Sequence, residues 1–453
     1  MVEMCSVPQG TGLAKATSVC AFMVPGLALW MPSGYSWGAL LLLVLALGSV
    51  HRWLPRSFHT VDTGTWLLGA TILGIGLIWI VQSDPSLGAA RWDRFSKLAL
   101  SLPCLVYAVT YAPSVRSVVW GVAVGCWGAG LIAMWQVYGL GLPRANGHTN
   151  AIQFGNLALL LGALAAIFLL CLYQYLGRVL RLGLLLGIGL AAQASLLSLS
   201  RGGWLALVFL PVLAFPSLAL VGWRSLKVAV RRHCVLGLSL LVLVSVPIVL
   251  NVPQLQTRMA ALNAELAAYQ QSGDASTSIG HRLEHWRLAW HMGLERPWLG
   301  WGDAGYSLRK HELVAAGQFD ASTLEFDHAH NEMLDMFAKR GVAGLTALMA
   351  LYLVPLALFW PGAGWRRRWQ QHGLRTRVGA AAPALRLGGV AIVLMYVGFG
   401  WTQVFFAHNS GVMFYVFMLI LFWAALRCLE KASVSTAGQR NRPGPVDVVD
   451  TVP

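Results

Sequence analysis

Apolar stretches long enough to cross a bilayer recur along most of this chain, and no other feature restricts its fold so strongly. A bilayer's hydrocarbon core is about 30 Å thick, which takes roughly 20 residues of helix to span, and inside it every backbone polar group must find its partner within the protein. Hydrophobic residues make up 57% of the 453 positions and charged residues only 11%, far from the balance of a soluble domain. The reading is an all-α polytopic membrane protein with about twelve transmembrane helices. They are expected near residues 16–32, 37–50, 63–82, 98–112, 117–140, 151–173, 180–199, 203–222, 234–252, 333–360, 385–404 and 410–427. The run from Ser18 to Trp30 is as short as a signal peptide, but no A-x-A site follows and further spans come at once, so it counts as a retained first span.

Charge then sets the expected orientation. A net charge of +15 in a polytopic chain reflects basic loops held in the cytoplasm rather than nucleic-acid binding. Basic clusters at His51 to Arg56, Arg178 with Arg181, Arg224 to Arg232, Arg366 to Arg377 and after Arg427 alternate with poorer loops, and all fall on one side. The loops at 83–97, 141–150, 200–202 and 253–332 then share the other. The chain divides into spans one to nine (1–252), a long helical outer loop (253–332), spans ten to twelve (333–428) and a disordered cytoplasmic tail (429–453). None of the seven cysteines lies in the outer loop, so a disulfide framework is not expected.

The outer loop is the one long polar interval. Half of the 12 histidines fall in it: His281, His285, His291, His311, His328 and His330. Leu255, Met259, Leu262 and Leu266 sit at helical spacing in its first part. A second helix is expected after Asp274-Ala275-Ser276-Thr277-Ser278, where Leu283, Trp286, Trp290 and Leu294 form an apolar stripe suited to lipid head groups. Pro297, Gly300, Gly302 and Gly305 end it.

Three groups of residues carry chemistry. In Ser200-Arg201-Gly202-Gly203 an arginine stands between two spans with almost no loop. At membrane depth an arginine costs about 2.5–3.5 kcal/mol, so it either snorkels to head groups or has a partner, and the two glycines let a bulky anion such as phosphate approach. Arg282 stands in the first turn of the Trp-rich helix, one turn before Trp286, where the helix dipole also attracts an anion, although an outward arginine on a surface helix is common. Arg144 lies in the turn-rich loop Leu142 to Asn150 as a weaker candidate of the same kind, with Asn150 beside it at the next span. His328 and His330 follow Glu325 and Asp327. With no cysteine and no H-E-x-x-H in the loop, a zinc site is disfavoured. A neutral imidazole acting as general base, oriented by a carboxylate such as Asp327, fits better, and Asn331 and Glu332 either add hydrogen bonds or cap the next helix.

Taken together, Ser200-Arg201-Gly202-Gly203, Arg282 with Trp286 and the Pro297 to Gly302 turn, and His330-Asn331 followed after nine residues by Gly341-x-x-Gly344 resemble the O-antigen ligase and polymerase superfamily. The last pattern is similar to that of the lipopolysaccharide O-antigen ligases. The resemblance implies a metal-independent membrane glycosyltransferase with GT-C-like architecture in the bacterial inner membrane, its active site facing the periplasm and needing no cofactor. Such an enzyme would move a glycan from undecaprenyl diphosphate to a sugar of the lipid A core. Arg201 and Arg282 would hold the diphosphate and His330 would activate the acceptor hydroxyl. Arg144, Asn150, Ser200, Gly202, Trp286, His328 and Asn331 would contribute to substrate binding. A polymerase of the same superfamily shares this donor chemistry. A lipid-linked glycan flippase would also be basic and multi-span, but transporters carry their ionisable residues near mid-membrane.

Overall fold

The computed structural model describes residues 12–200, 202–206, 270–271, 277–362 and 377–440. Among them every regular element is helical: α1 (Gly12–Leu27), α2 (Gly34–Gly48), α3 (Val50–Thr60), α4 (Thr63–Val81), α5 (Trp92–Thr110), α6 (Val115–Met134), α7 (Ala151–Leu172), α8 (Arg178–Leu197), α9 (Ser278–Glu295), α10 (Gly302–Ala315), α11 (Glu332–Phe359), α12 (Arg377–Gly400) and α13 (Asn409–Arg440), with short turns of helix between. Many starts are fixed by a side-chain oxygen on a free N–H of the first turn. Asp62 caps α4, Ser114 caps α6, Asn150 caps α7, Thr277 caps α9 and Asn331 caps α11.

Ten of the twelve expected spans have a helix where they were placed; those near 203–222 and 234–252 lie outside the described residues, apart from the short turn Gly202–Leu205. Among the described residues, seven helices are long and apolar enough to cross a membrane, or eight if α2 and α3, which meet at 93°, count as one broken span. α1 is apolar but short, at 16 residues. The first turns of α5 carry Asp93, Arg94 and Lys97, which dilute its apolar character. α12 and α13 are almost wholly enclosed by other helices, whereas the apolar windows of α8 and α11 are mostly uncovered. Small residues permit the closest crossings: a Cβ on Gly121 of α6 would stand 2.4 Å from the Phe22 carbonyl oxygen of α1, the kind of backbone approach that membrane helices use in place of hydrophobic drive.

Alternation of helix direction collects the polar segments at two ends. At one, Arg427 pairs with Asp62 and Glu430, Arg386 pairs with Glu430 and also donates to the Leu358 carbonyl, and Lys431 donates to the Thr60 carbonyl. At the other, Gln82 after α4 reaches the Leu299 carbonyl (2.7 Å), Arg94 of α5 the Ala407 carbonyl (3.3 Å), and Asn331 at the head of α11 the Trp401 carbonyl after α12 (3.3 Å). The second end holds the candidate site.

Candidate active site

The site is built around the break in α11. Gly341 has φ 59° and ψ −158°, a region essentially closed to other residues, and it splits the helix after Arg340. The turn Pro297–Gly302 fills the break: Val342 N–H donates to the Pro297 carbonyl (2.7 Å), Ala343 N–H to Trp298 (3.1 Å), and Trp301 N–H to Ala338 (3.1 Å). A Cβ on Gly341 would come within 2.4 Å of the Trp298 backbone, and one on Gly300 within 2.3 Å of the Lys339 backbone. The two glycine patterns of the sequence are thus halves of one contact, which fixes α9 and α10 against the head of α11.

That head fixes the loop that carries His328 and His330. Asn331 accepts from Met333 and Leu334 N–H (3.0 and 3.1 Å), Asp335 accepts from Ala329 N–H (3.0 Å), and Lys339 donates to the Asp327 carbonyl (2.6 Å) and pairs with Asp335 (3.0 Å). Glu332 accepts from Phe406 N–H (2.9 Å), which ties in the 401–407 loop. Held this way, His330 adopts a left-handed backbone, φ 51°, costly for a side chain other than glycine.

Nδ1 of His330 lies 3.0 Å from Oε1 of Gln403. An amide oxygen only accepts, so Nδ1 carries the proton and Nε2 keeps its lone pair. Burial pushes the His330 pKa down to about 4, with the His328 ring and the Arg282 guanidinium adding to the effect against the Gln403 bond. Around it stand His328 (ring centroids 4.4 Å apart), Phe326 (4.7 Å), His285 (5.6 Å) and His281 (6.1 Å). His285 is fully buried with neither ring nitrogen hydrogen-bonded, and burial with the neighbouring rings pushes it down to about 3. One ring nitrogen from each of His281, His285 and His330 lies within 4.8 Å of the others, the only grouping among the described residues able to hold a metal ion. His328 is also lowered, by burial first, and its Nδ1 is buried without a partner.

Of the expected residues, Arg282 lies close enough to depress His330, and Trp286 one turn on has a buried indole N–H without a hydrogen-bond partner. Arg201 lies outside the described residues. Its neighbours are tightly placed: Ser200 donates to Oδ1 of Asn156 (3.1 Å), and a Cβ on Gly202 would meet the Thr402 hydroxyl at 2.1 Å. Gly202 therefore packs on the loop that supplies Gln403. Arg144 is exposed on a loop pinned to the end of α8 through Ala145 N–H and the Leu197 carbonyl (2.9 Å). The side-chain oxygens of Asn150 and Asn331 are spent on helix caps.

One expectation is corrected. Asp327 does not orient His330: its carboxylate is 95% exposed and turned toward Lys310, 3.8 Å away, and Gln403 takes the role. Gln403 also reaches His408 (Nε2 to Nε2, 3.4 Å), and His408 borders a cavity of about 340 Å³ whose charged lining is Arg91, Asp93, Arg94, Asp303 and Arg340. Arg340 is held by both oxygens of Asp303 (2.9 and 3.0 Å). Sequence reasoning missed this charged chamber and Gln403, which had no local signal. The four-residue spacing of His281 and His285 puts both on one helix face and was open to inspection.

The Leu283, Trp286, Trp290, Leu294 stripe is more open than its opposite face. Trp290 and Leu294 are exposed, while Glu284, His285, Leu288, Ala289 and Met292 are buried. The helix expected near 253–271 lies outside the described residues but for its last two positions.

Two likenesses to known proteins bear on the family. Over 348 residues, covering 76% of this chain and 81% of the other, the sequence is 26% identical to an uncharacterised protein of Haemophilus influenzae. Residues 186–349 match the O-antigen ligase family, and that interval contains Arg201, Arg282, the Gly300 and Gly341 contact and His330. Over residues 186–349 the chain is thus similar to the O-antigen ligase family, in a protein whose described helices are those of an all-α multi-pass membrane protein.

Proposed function

We propose that this chain is an O-antigen ligase, transferring a glycan from undecaprenyl diphosphate to a sugar of the lipid A core at the periplasmic face of the inner membrane. In this reading residues 253–332 are periplasmic, 1–252 and 333–428 hold the spans, and 429–453 are cytoplasmic. The observation that carries it is His330, whose Nδ1 hydrogen bond to Gln403 leaves Nε2 as a proton acceptor beside Arg282.

The acceptor hydroxyl gives its proton to Nε2 of His330 as its oxygen forms a bond to the anomeric carbon. The bond from that carbon to the diphosphate oxygen breaks, with inversion, and its electron pair leaves on the diphosphate. Arg201 and Arg282 stabilise the growing charge through forked hydrogen bonds, the service a metal gives elsewhere. His330 is neutral throughout the working range. Burial is the main cause of the low basicity of His330, and the anionic diphosphate would favour the imidazolium as it forms by offsetting the smaller contribution of Arg282. The arginine-lined cavity on the far side of Gln403 suits an acidic or phosphorylated part of the acceptor.

The test is to incubate the purified chain with undecaprenyl-diphosphate glycan and truncated lipopolysaccharide, with and without EDTA. A core-linked glycan formed in both supports the reading. Lengthened donor made without acceptor would indicate a polymerase, and movement of donor across vesicles with no new glycosidic bond a flippase.

A further inference from the structure

We propose that His281, His285 and His330 form a binding site for a divalent metal ion of the zinc class, and that its occupation withdraws His330 from transfer. The second half rests on the reading of His330 as the base. The three rings come from two elements: His281 and His285 from consecutive turns of α9, His330 from the loop before α11. One nitrogen of each lies within 4.8 Å of the others, so an ion at the centre would stand at most about 2.8 Å from each, against a zinc–nitrogen bond of about 2.0–2.1 Å. Moving each ring inward by about 0.7 Å closes the site.

Two independent observations point to a ligand. Histidines that bind metals donate their other N–H to a carbonyl or carboxylate, which fixes the tautomer and aims the lone pair. His281 Nε2 meets the Ser322 carbonyl at 2.9 Å and His330 Nδ1 meets the Gln403 amide oxygen at 3.0 Å, so two of the three rings already have that outer contact. The third, His285, is completely buried with both nitrogens unsatisfied, a condition native interiors rarely leave without a partner. An all-imidazole donor set selects zinc, copper, nickel or cobalt over magnesium and calcium. Three ligands leave an open position, which a phosphate oxygen of the donor can fill.

The test uses the full chain without a polyhistidine tag, in detergent, stripped with EDTA and titrated with Zn²⁺ by calorimetry. One Zn²⁺ per chain is expected, with Mg²⁺ and Ca²⁺ giving no binding, and at least ten-fold weaker binding in His285→Gln and in His281→Gln. Absence of saturable binding, or equal affinity in a His281→Gln/His285→Gln double variant, overturns the site. Should the variants misfold, Co²⁺ on the parent decides: intense visible absorption from low coordination supports the site, and a weak octahedral spectrum overturns it. Zn²⁺ should also lower glycan transfer by the parent and EDTA should restore it. Full transfer with the site loaded overturns the regulatory half. An EDTA-treated parent with no transfer at all sinks the ligase reading and leaves the binding result standing.

Discussion

His330 and His328 are two residues apart and share a sheltered pocket, yet their contacts differ. Only His330 is fixed by a side chain that dictates its tautomer, through Gln403. His330→Ala should therefore bind the undecaprenyl-diphosphate glycan about as well as the parent and lose roughly 10²- to 10⁴-fold in transfer, while His328→Ala loses less. Donor binding and product formed on the same variants decide this. Arg201→Lys and Arg282→Lys should each slow transfer by about ten- to a hundred-fold, because an ammonium cannot copy the forked donor geometry. Parental rates in both would make these arginines loop anchors. At this scale the sequence showed residue type but not aim. Asp327 looked like the partner of His330 because it is three positions away, while the actual partner is 73 positions away, in a segment that reads as the end of a span. Asn331 carried both of its readings into the structure, where it caps α11 and also reaches Trp401.

Among elements, α11 is set by its break at Gly341. Its glycine takes a conformation that costs other residues about 1–3 kcal/mol, and an added methyl would press on the Trp298 backbone. Gly341→Ala should lower the melting temperature in detergent and abolish transfer, and Gly300→Ala should do the same from the other side of the contact. Gly344→Ala, whose Cβ would come within 2.3 Å of the Arg340 Cβ, an atom that moves only with its backbone, should also lower the melting temperature. Helix existence was legible because each span is a long apolar run, and caps such as Asp62 and Thr277 stand where the polar residue meets the run. The break was visible only as a glycine. Nothing local says that a turn forty residues earlier fills it, since that pairing depends on α9 and α10 folding back.

At the scale of the whole molecule, the end opposite the site is fastened by Arg427, Asp62, Glu430 and Arg386. Burial pushes the Asp62 carboxyl up, but hydrogen bonds from Thr65 and the charge of Arg427 more than offset this, so it titrates below its usual range. A carboxylate lowered in the folded state stabilises above its unfolded value, near 3.9, and that contribution is lost as pH falls through the lower folded value. Asp62→Ala should cost about 1 kcal/mol at neutral pH as a lost helix cap, and its melting temperature should converge on the parent's in acid. Orientation has its own check: labels at Asp274 and Gln318 should react from outside intact cells and those at Arg367 and Arg440 only from inside. Reaction of Asp274 from the cytoplasm alone would put the site on the wrong side for a periplasmic acceptor. From sequence, the charge pattern sets an expected orientation that this labelling decides, because orientation depends on loop composition summed over many residues rather than on any single contact.

The Gln403 amide between His330 and His408 also has a direction. Its oxygen takes the Nδ1 proton of His330 and its NH₂ faces Nε2 of His408, so His408 must carry its own proton on Nδ1. An amide can pass hydrogen-bond polarity from one ring to the next, but it does not pass a proton at neutral pH. In the proposed mechanism, the proton that His330 would take from the acceptor has no exit through the back of the ring. It would leave from the same Nε2 on which it arrived, and the departing diphosphate, newly enriched in negative charge, would be the group to receive it. The base would then be reset by its own leaving group, and each turnover would couple regeneration of His330 to release of the spent lipid carrier.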